Sequence, residues 1–284
     1  MTGQNRTLPT LEEIKRIARV LKKESGIPHS EALERAAVLN GFQNYRHAYN
    51  VSAIGPIAPP PEKVILPPRF RIRVTQYWSD GDLGLRGKET LEIPLAKPFT
   101  DITSTNKLKL IRGLASIRHV GDTEYEMEFV TRSQEDAQEL LYAAARVLAF
   151  MEATGLQPST GYRRAYPPGE TKVPGQDHAR FWFDPTTRRY LVCDEPYQRE
   201  FNAALPKRRA WLERFGYVME TPNWLGMYNP YMDATNGSRL HLITHATKGI
   251  DLGPLIASLN RLPAPIGIEP WSGLSGPKFA VQRR

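Results

Sequence analysis

Two stretches of alternating residues decide the fold, Arg69-Phe70-Arg71-Ile72-Arg73-Val74 and Glu124-Tyr125-Glu126-Met127-Glu128-Phe129-Val130. Side chains that alternate between charged and apolar types predict a β-strand with one buried face, because successive side chains of a strand point to opposite sides. One stripe is basic and the other is acidic. The two strands are therefore expected to be neighbours in one sheet, with opposite charges paired on its outer face.

This arrangement makes two specific predictions. The apolar side chains of both strands cover one core, namely Phe70, Ile72, Val74, Tyr125, Met127 and Phe129. On the outer face, Arg71 and Arg73 meet Glu126 or Glu128, which leaves the arginines unavailable to other anions. The alternative is a free arginine stripe that follows a phosphate backbone. The acidic stripe favours the pairing.

Around these strands the sequence predicts an α+β protein: a small N-terminal three-helix unit, a proline-rich linker, and two modules with antiparallel sheets that form a possible diverged tandem repeat. The predicted parts are a helix-turn-helix-like unit over 1–50, the linker over 51–68, the first α+β module over 69–157, the second over 158–262, and a Pro/Gly-rich tail over 263–284. In both modules the predicted order is strand, strand, helix, strand, strand, helix.

Local signals place several helix ends. Thr10 and Glu13 have the spacing of a capping box, in which each side chain accepts a backbone N–H of the first helical turn. Ser133 is a predicted N-cap, and Gly155 ends the same helix. Pro206 is expected in the first turn of a later helix, where its missing N–H costs nothing.

Composition and charge limit the possible classes. The chain has 284 residues, of which 40% are hydrophobic, so a wholly disordered protein is excluded. No apolar stretch is long enough to span a membrane. A single cysteine excludes an internal disulfide, and no Cys/His spacing indicates a metal site. These features predict a cytoplasmic protein with no membrane contact, no metal and no cofactor.

Several motifs resemble an uncharacterised proteobacterial domain-of-unknown-function family that is often carried on plasmids and integrative elements. They are Gly26-Ile27-Pro28-His29-Ser30-x-Ala32-Leu33, Gly41-Phe42-x-Asn44-Tyr45-x-His47-Ala48, Arg163-x-Ala165-Tyr166-Pro167, Asp177-His178, Asp184-Pro185, Asp194-Glu195-Pro196-Tyr197 and Gly226-Met227-Tyr228-Asn229-Pro230. The resemblance implies a mobile-element setting and no particular activity. The N-terminal motif is also similar to a small helical unit of some glyoxalase-like proteins.

A net charge of +8, from 38 Lys and Arg against 30 Asp and Glu, permits contact with nucleic acid. The candidate residues for binding nucleic acid or a protein partner are Lys22, Lys23, Arg46, His47, Lys207, Arg208, Arg209, Trp224, Tyr228 and Tyr231. Two alternatives stay open. The N-terminal helices are a DNA-reading motif or a plain packing bundle. The aromatic loop is a stacking platform or a cover for the core.

A second group of residues suggests acid–base chemistry. His178, Asp194 and Glu195 lie near one predicted hairpin and are weak candidates for catalytic residues. Two nearby carboxylates also have ordinary explanations, Asp184 in a turn and Glu195, before Pro196, at the start of a loop. His241 and His245 are four apart on a strand, about 13 Å by strand rise, which is too far for one metal ion. Cys193 lies in an apolar strand and is expected to be a buried, unreactive thiol.

These features predict a non-enzymatic accessory protein of a mobile genetic element that docks on nucleic acid or a nucleoprotein partner. One alternative is a hydrolase or lyase that works with His178, Asp194 and Glu195. Another is a purely protein–protein adaptor.

Overall fold

The computed structural model describes residues 10–40, 42, 44, 45, 48, 70–230, 237–267 and 270–280. The chain forms two compact units, Met1–Ile65 and Leu66–Arg284. Some predictions lie outside the described residues: most of the third N-terminal helix with Arg46 and His47, the proline-rich linker, and Tyr231. Among the described residues, no helix is both long enough and apolar enough to cross a membrane.

In the first unit, two helices pack through small side chains. Helix α1 spans Leu11–Ser25 and helix α2 spans His29–Leu39. The predicted capping box is confirmed: Thr10 Oγ1 accepts the Glu13 N–H at 3.3 Å, and Glu13 Oε2 accepts the Thr10 N–H at 2.9 Å. The buried residues of this unit are Ile14, Ala18, Ala32, Ala36, Ala37, Phe42 and Ala48.

In the second unit, helices of different lengths accompany two sheets. The helices are α3 (Phe99–Ile102), α4 (Thr105–Leu108), α5 (Gln134–Thr154), α6 (Tyr162–Ala165), α7 (Gln198–Phe215) and α8 (Leu252–Leu259). The strands are β1 (Phe70–Asp80), β2 (Leu85–Leu95), β3 (Ile117–Gly121), β4 (Glu124–Thr131), β5 (Gln157–Pro158), β6 (Arg180–Asp184), β7 (Arg189–Asp194), β8 (Tyr217–Glu220), β9 (His241–His245), β10 (Leu274–Ser275) and β11 (Phe279–Ala280). The first sheet has the order β10-β2-β1-β4-β3, with β11 also paired to β2, and the second has the order β5-β6-β7-β9-β8. The predicted α+β class is confirmed.

The two alternating stretches are neighbours in the first sheet, as predicted, but β1 and β4 run parallel. The first sheet is therefore mixed and not purely antiparallel as predicted. The strand pairs of the second sheet are antiparallel, so the two sheets differ in topology. A register shift between Thr75 and Tyr77 ends the alternation of buried residues in β4 after Met127. For this reason Phe129 is 40% exposed. Phe70, the first residue of β1, is also 40% exposed, so neither ring belongs to the core that was predicted for them.

The charges on the outer face of this sheet pair with partners other than those predicted. Arg71 Nη1 lies 2.7 Å from Glu92 Oε1 on β2, and Arg73 Nη1 lies 2.9 Å from Glu124 Oε1 on β4. The other glutamates of the acidic stripe face Arg118 on β3, at 2.9 and 3.8 Å. The partners differ because β1 has a neighbour on each side, and the sequence pattern identified one of them.

Helix α5 joins the two sheets into one core. It begins as predicted at Ser133, whose Oγ accepts the Asp136 N–H at 3.0 Å, and it ends at Gly155 with a φ of +72°. The ring of Phe150 lies 4.6 Å from that of Trp182 in the second sheet. Side chains from both predicted modules belong to one buried cluster. The boundary predicted at 157/158 therefore lies within one continuous core.

The C-terminal segment is built into the first sheet. Strands β10 and β11 both pair with β2, and Ser275 Oγ donates to the buried carboxylate of Glu89 at 2.6 Å. Before β10, the Tyr142 hydroxyl donates to the Pro270 carbonyl oxygen at 3.2 Å. The described part of the predicted tail is therefore a structural edge of the domain.

Helix α7 begins earlier than predicted. It starts at Gln198 and carries Pro206 inside, where a first-turn position was expected. Proline in a helix leaves the carbonyl group four residues earlier without its N–H donor. That carbonyl belongs to Asn202, an exposed residue, so water can replace the missing donor. An exposed position therefore allows the helix to continue through the proline.

Candidate functional site

A cleft of about 490 Å³ lies beside the second sheet, where four segments meet. Its walls are the end of α6 with the residues after it, the β6–β7 turn, the junction of α7 and β8, and the turn after β9. We call it the basic cleft and define it by the nitrogen-bearing side chains that line it, Arg164, Arg188, Arg189, Arg214, His245 and Lys248. Each wall supplies at least one of them.

The charge of the basic cleft is uncompensated within the cleft itself. No aspartate or glutamate is among the described residues that line it. The ion pairs formed between described residues also include none of its four arginines and not Lys248. Five positive charges without a carboxylate in one concave surface create a local field that attracts anions.

Neighbouring groups hold the arginines of the basic cleft in place. Arg164 Nη1 donates to the Tyr190 hydroxyl at 2.9 Å, and Arg189 Nη1 donates to the Gly249 carbonyl oxygen at 2.8 Å. The guanidinium of Arg214 lies 5.0 Å from the ring centre of its neighbour Phe215. A guanidinium has five N–H donors, so a single tether leaves others for a ligand.

Arg188 is held in an unusual backbone conformation. It has a φ of +59°, in the left-handed region that favours glycine. The turn is closed by its N–H, which donates to the Asp184 carbonyl oxygen at 2.8 Å, while Asp184 Oδ1 accepts the Thr186 N–H at 2.8 Å. An L-residue in this region costs roughly 1–2 kcal/mol. A strained arginine at the rim of a cationic cleft points to a use for its side chain.

His245 offers a defined hydrogen-bond donor. Its Nδ1 lies 3.2 Å from the backbone nitrogens of Thr247 and of Lys248, and both donate to it. A ring nitrogen that accepts two N–H groups carries no proton, so the proton of the neutral imidazole is on Nε2. The Nε2–H is therefore the group that His245 offers to a ligand.

The candidate catalytic residues His178, Asp194 and Glu195 lie in one region. Asp194 Oδ1 accepts the Asp177 N–H at 2.9 Å, and the Asp177 carbonyl oxygen accepts the Glu195 N–H at 3.1 Å. Asp177 Oδ2 lies 3.1 Å from His178 Nδ1. Burial lowers the pKa of His178, although the charges of Asp177 and Glu195 raise it.

Asp194 has a structural partner. Arg208 Nη2 donates to Asp194 Oδ2 at 2.5 Å, and both side chains are completely buried. Burial raises the pKa of Asp194 to about 6, against the lowering effect of the guanidinium. Because Arg208 is enclosed in this pair, it has no surface to offer to a nucleic acid, unlike its exposed neighbours Lys207 and Arg209.

Glu195 holds the aromatic loop in place. Its Oε2 accepts the N–H groups of Met227 at 2.7 Å and Tyr228 at 2.8 Å. Gly226 approaches so closely, with a φ of +130°, that a Cβ there would lie 2.3 Å from this oxygen. The loop itself is divided in role: Trp224 is buried in the core, whereas the ring of Tyr228 lies 3.6 Å from the ring of His178.

Three buried polar atoms in this region have no hydrogen-bond partner: His178 Nδ1, Arg180 Nη1 and Glu195 Oε1. The last two are 3.9 Å apart. His178 also has a φ of +50°, a second non-glycine residue in the left-handed region. We call His178, Arg180, Glu195 and Tyr228 the histidine cluster. Buried polar groups that form no hydrogen bond are uncommon in folded proteins, and a catalytic role is one explanation for them.

The remaining candidates are placed as follows. Lys22 and Lys23 lie exposed in the last turn of α1, in the N-terminal unit. Cys193 is completely buried, and burial raises the pKa of its thiol. Among the described residues, no group of three or more His, Cys, Asp and Glu side chains could hold a metal ion.

The basic cleft is not predicted by the sequence. Its charged residues come from four separate segments, and each of them looks like an ordinary exposed charge in the sequence. The one local signal was the pair Arg188-Arg189, which follows the Asp184-Pro185 turn where a glycine or asparagine is expected.

No family model, curated protein or solved structure matches this chain. The resemblance described above, with the mobile-element setting it implies, therefore stays a prediction.

Proposed function

We propose that this protein binds nucleic acid through the basic cleft, as a non-enzymatic accessory protein of a mobile genetic element. The observation that carries the proposal is the cleft itself: four arginines and Lys248 line one concave surface from which carboxylates are absent among the described residues. Phosphate contacts from Lys and Arg supply most of the affinity of sequence-independent nucleic-acid binding.

The aromatic walls of the cleft favour a single strand. Tyr190 and Tyr217 line it beside the arginines, and both are partly exposed. Unpaired bases stack on aromatic side chains, at about 1–3 kcal/mol per base, whereas paired bases in a duplex are not available for this contact. We therefore expect single-stranded DNA or RNA to bind more tightly than duplex DNA at equal salt.

Arg188→Gly is the first test, because it separates binding from folding. The change removes one positive charge and also relieves the left-handed backbone of a non-glycine side chain. We expect the affinity for a single-stranded oligonucleotide to fall about tenfold, from the loss of one charged hydrogen bond. The thermal midpoint should stay the same or rise. Fluorescence anisotropy at low salt measures the affinity, and thermal denaturation measures the midpoint.

A matched pair of double variants tests whether the effect is local. Arg188→Glu with Arg214→Glu changes the cleft, and Arg71→Glu with Arg73→Glu makes the same change of net charge on the first sheet. The sheet arginines are already paired with Glu92 and Glu124, so their reversal should destabilise the protein slightly and leave affinity nearly unchanged. Equal losses of affinity in both variants would contradict a binding site in the cleft.

One result would contradict the proposal that this protein binds nucleic acid. If single-stranded DNA, single-stranded RNA and duplex DNA all bind the intact protein more weakly than about 10⁻⁴ M at low salt, the affinity is no better than non-specific. The protein–protein adaptor hypothesis would then take precedence.

The histidine cluster supports a second candidate function, a hydrolase or lyase. The specific observation is that His178, Arg180 and Glu195 each place in one region a buried polar atom that forms no hydrogen bond and has only an ion-pair neighbour, at 3.1 or 3.9 Å. Burial lowers the pKa of His178, so its imidazole is neutral near pH 7 and able to accept a proton. Asp194 is excluded from a direct role by its pairing with Arg208.

His178→Asn tests this candidate, because asparagine tolerates the left-handed backbone better than most residues. If the cluster is catalytic, turnover of ester, amide or phosphoester substrates by the intact protein should fall at least about a hundredfold in the variant. Thermal denaturation checks that the fold persists. Unchanged turnover in a folded variant would assign any activity to another site.

A further inference from the structure

We propose that the basic cleft recognises a terminal phosphomonoester, at the end of a single strand or on a free nucleotide, in preference to the phosphodiesters within a strand. This inference rests on the proposed function, because it concerns the same cleft. It adds a ligand class that a general affinity for nucleic acid does not include.

The first argument is the density of charge. Four arginines and Lys248 line a cleft of about 490 Å³, within the size range of sites for small ligands. A phosphodiester carries a single negative charge, whereas a phosphomonoester carries about −1.5 to −2 near pH 7 and has three acceptor oxygens. The cleft therefore has more positive charge than one internal phosphate uses.

The second argument is the limited extent of the field. A surface that follows a strand needs free cations along its path. On the first sheet, Arg71, Arg73 and Arg118 are each paired with a glutamate at 2.7–2.9 Å. The groove that adjoins the cleft and shares Arg189 with it is lined by the carboxylates of Glu220 and Asp251. The positive field therefore does not continue in that direction, and the cations of the cleft form a local cluster.

The third argument is the fixed geometry of the donors. The guanidiniums of Arg164 and Arg189 are tethered by the Tyr190 hydroxyl and the Gly249 carbonyl oxygen, and His245 presents an Nε2–H. Tethered donors lose little conformational freedom when a ligand binds, which favours a compact ligand with several acceptors. A terminal phosphate group meets this description.

One feature of the cleft opposes an anion. Helix α7 ends beside it at Gly216, and a helix C-terminus carries roughly half a negative charge. Arg214 lies in the last turn of the same helix and offsets this charge. With the other four cations the cleft keeps a large positive excess.

The experiment compares short oligothymidylates that are identical except at their ends: a 5′-phosphate, a 3′-phosphate, or hydroxyl groups at both ends. Affinities for the full-length protein are measured by anisotropy, and thymidine 5′-monophosphate and inorganic phosphate serve as competitors. We expect one phosphorylated end to bind at least about tenfold more tightly than the hydroxyl form, as one or more additional charged hydrogen bonds would give. Arg188→Gly should reduce this preference, whereas Arg71→Glu with Arg73→Glu should preserve it.

The outcomes separate this inference from the proposed function. Equal affinity for all three oligonucleotides, lost in Arg188→Gly, would overturn the phosphomonoester preference and leave nucleic-acid binding in the cleft intact. If thymidine 5′-monophosphate competes at a concentration equal to that of the phosphorylated oligonucleotide, this result would support the inference. It would also identify a free nucleotide as a sufficient ligand. If no oligonucleotide and no competitor binds, both proposals fail.

Discussion

We expect Arg208→Met to lower the free energy of unfolding by about 3–5 kcal/mol, the usual cost of removing one partner from a buried ion pair. Asp194 is completely buried, and the guanidinium that lowers its pKa would be lost, so the carboxyl must either take up a proton or remain an uncompensated buried charge. Methionine fills part of the space of the side chain but removes the guanidinium, which also lies over the Phe201 ring and donates to the Pro174 carbonyl oxygen and to Met219 Sδ. The loss therefore includes these contacts as well as the ion pair. Urea denaturation near pH 7 measures the change.

The neighbouring residue supplies the control. Arg209 is exposed on the same helix, and Arg209→Met should change the free energy of unfolding by no more than about 0.5 kcal/mol. The double variant Arg208→Met with Asp194→Asn should recover part of the loss, because it removes both buried charges and keeps an acceptor for the Asp177 N–H. A cost below about 1 kcal/mol for Arg208→Met would show that the pair contributes little to stability.

The same residue shows why a charged run in a sequence is an uncertain guide to a surface. Lys207-Arg208-Arg209 looks like a small polybasic patch, but successive residues of a helix point about 100° apart. One of the three, Arg208, therefore faces the interior, where it pairs with Asp194 of β7. The sequence alone does not show which of them, because that depends on how α7 lies on the sheet.

Local signals predicted the elements well where the determinants were local. The capping pair of Thr10 and Glu13 and the helix ends at Ser133 and Gly155 depend on residues a few positions apart, and all are confirmed. The prediction that Pro206 lies in the first turn of its helix is wrong, because the determinant is not local. The cost of this proline depends on whether the carbonyl of Asn202 reaches water, which is a property of the folded protein.

Pairing across the first sheet was predicted in part. The basic and acidic stripes identified β1 and β4 as neighbours, because complementary charge patterns favour adjacent strands. They did not identify Glu92 as the partner of Arg71, since β2 shows no comparable stripe. The parallel direction and the register shift also depend on contacts that are distant in the sequence.

The two candidate sites also differ in how far they can be predicted from the sequence. The histidine cluster has most of its members close in sequence, on either side of the β6–β7 hairpin, and a search for nearby histidines and carboxylates could find it. The basic cleft joins Arg164, Arg188, Arg214 and Lys248, which come together only when the second sheet has formed. A cationic site of this kind is visible in the fold and not in the composition.

The buried His241 makes the protein sensitive to acid. Its ring stacks on Phe201 with centres 4.2 Å apart, and its Nδ1 lies 2.7 Å from Thr221 Oγ1. Burial, with the positive charges of Arg208 and Arg239, lowers the pKa of His241 from 6.5 to about 3. The neutral imidazole is therefore kept in the folded protein under conditions in which the unfolded chain is protonated.

The sign of the resulting pH dependence follows from this difference. Above pH 6.5 neither state binds the proton, and the stability is fully present; between pH 6.5 and about 3 only the unfolded chain binds it, and stability is lost as the pH falls. The loss is about 2 kcal/mol at about pH 5. The raised pKa of Asp194 acts in the opposite direction below about pH 6, so the wild-type protein alone does not reveal the contribution.

The variant His241→Asn isolates the contribution of His241 to the pH dependence of stability, because Asp194 is present in both proteins. Asparagine can still accept a hydrogen bond from the Thr221 hydroxyl. We expect the variant to be the less stable protein near pH 7, where it loses the stacking on Phe201, and to gain about 2 kcal/mol relative to the wild type between about pH 7 and about pH 5. Urea denaturation at the two pH values measures the difference. Phe201→Leu is the matched control, since it removes the same stacked pair but keeps the imidazole, and its cost should be similar at both pH values. A difference between wild type and His241→Asn that does not change with pH would mean that His241 is protonated equally in the folded and unfolded states.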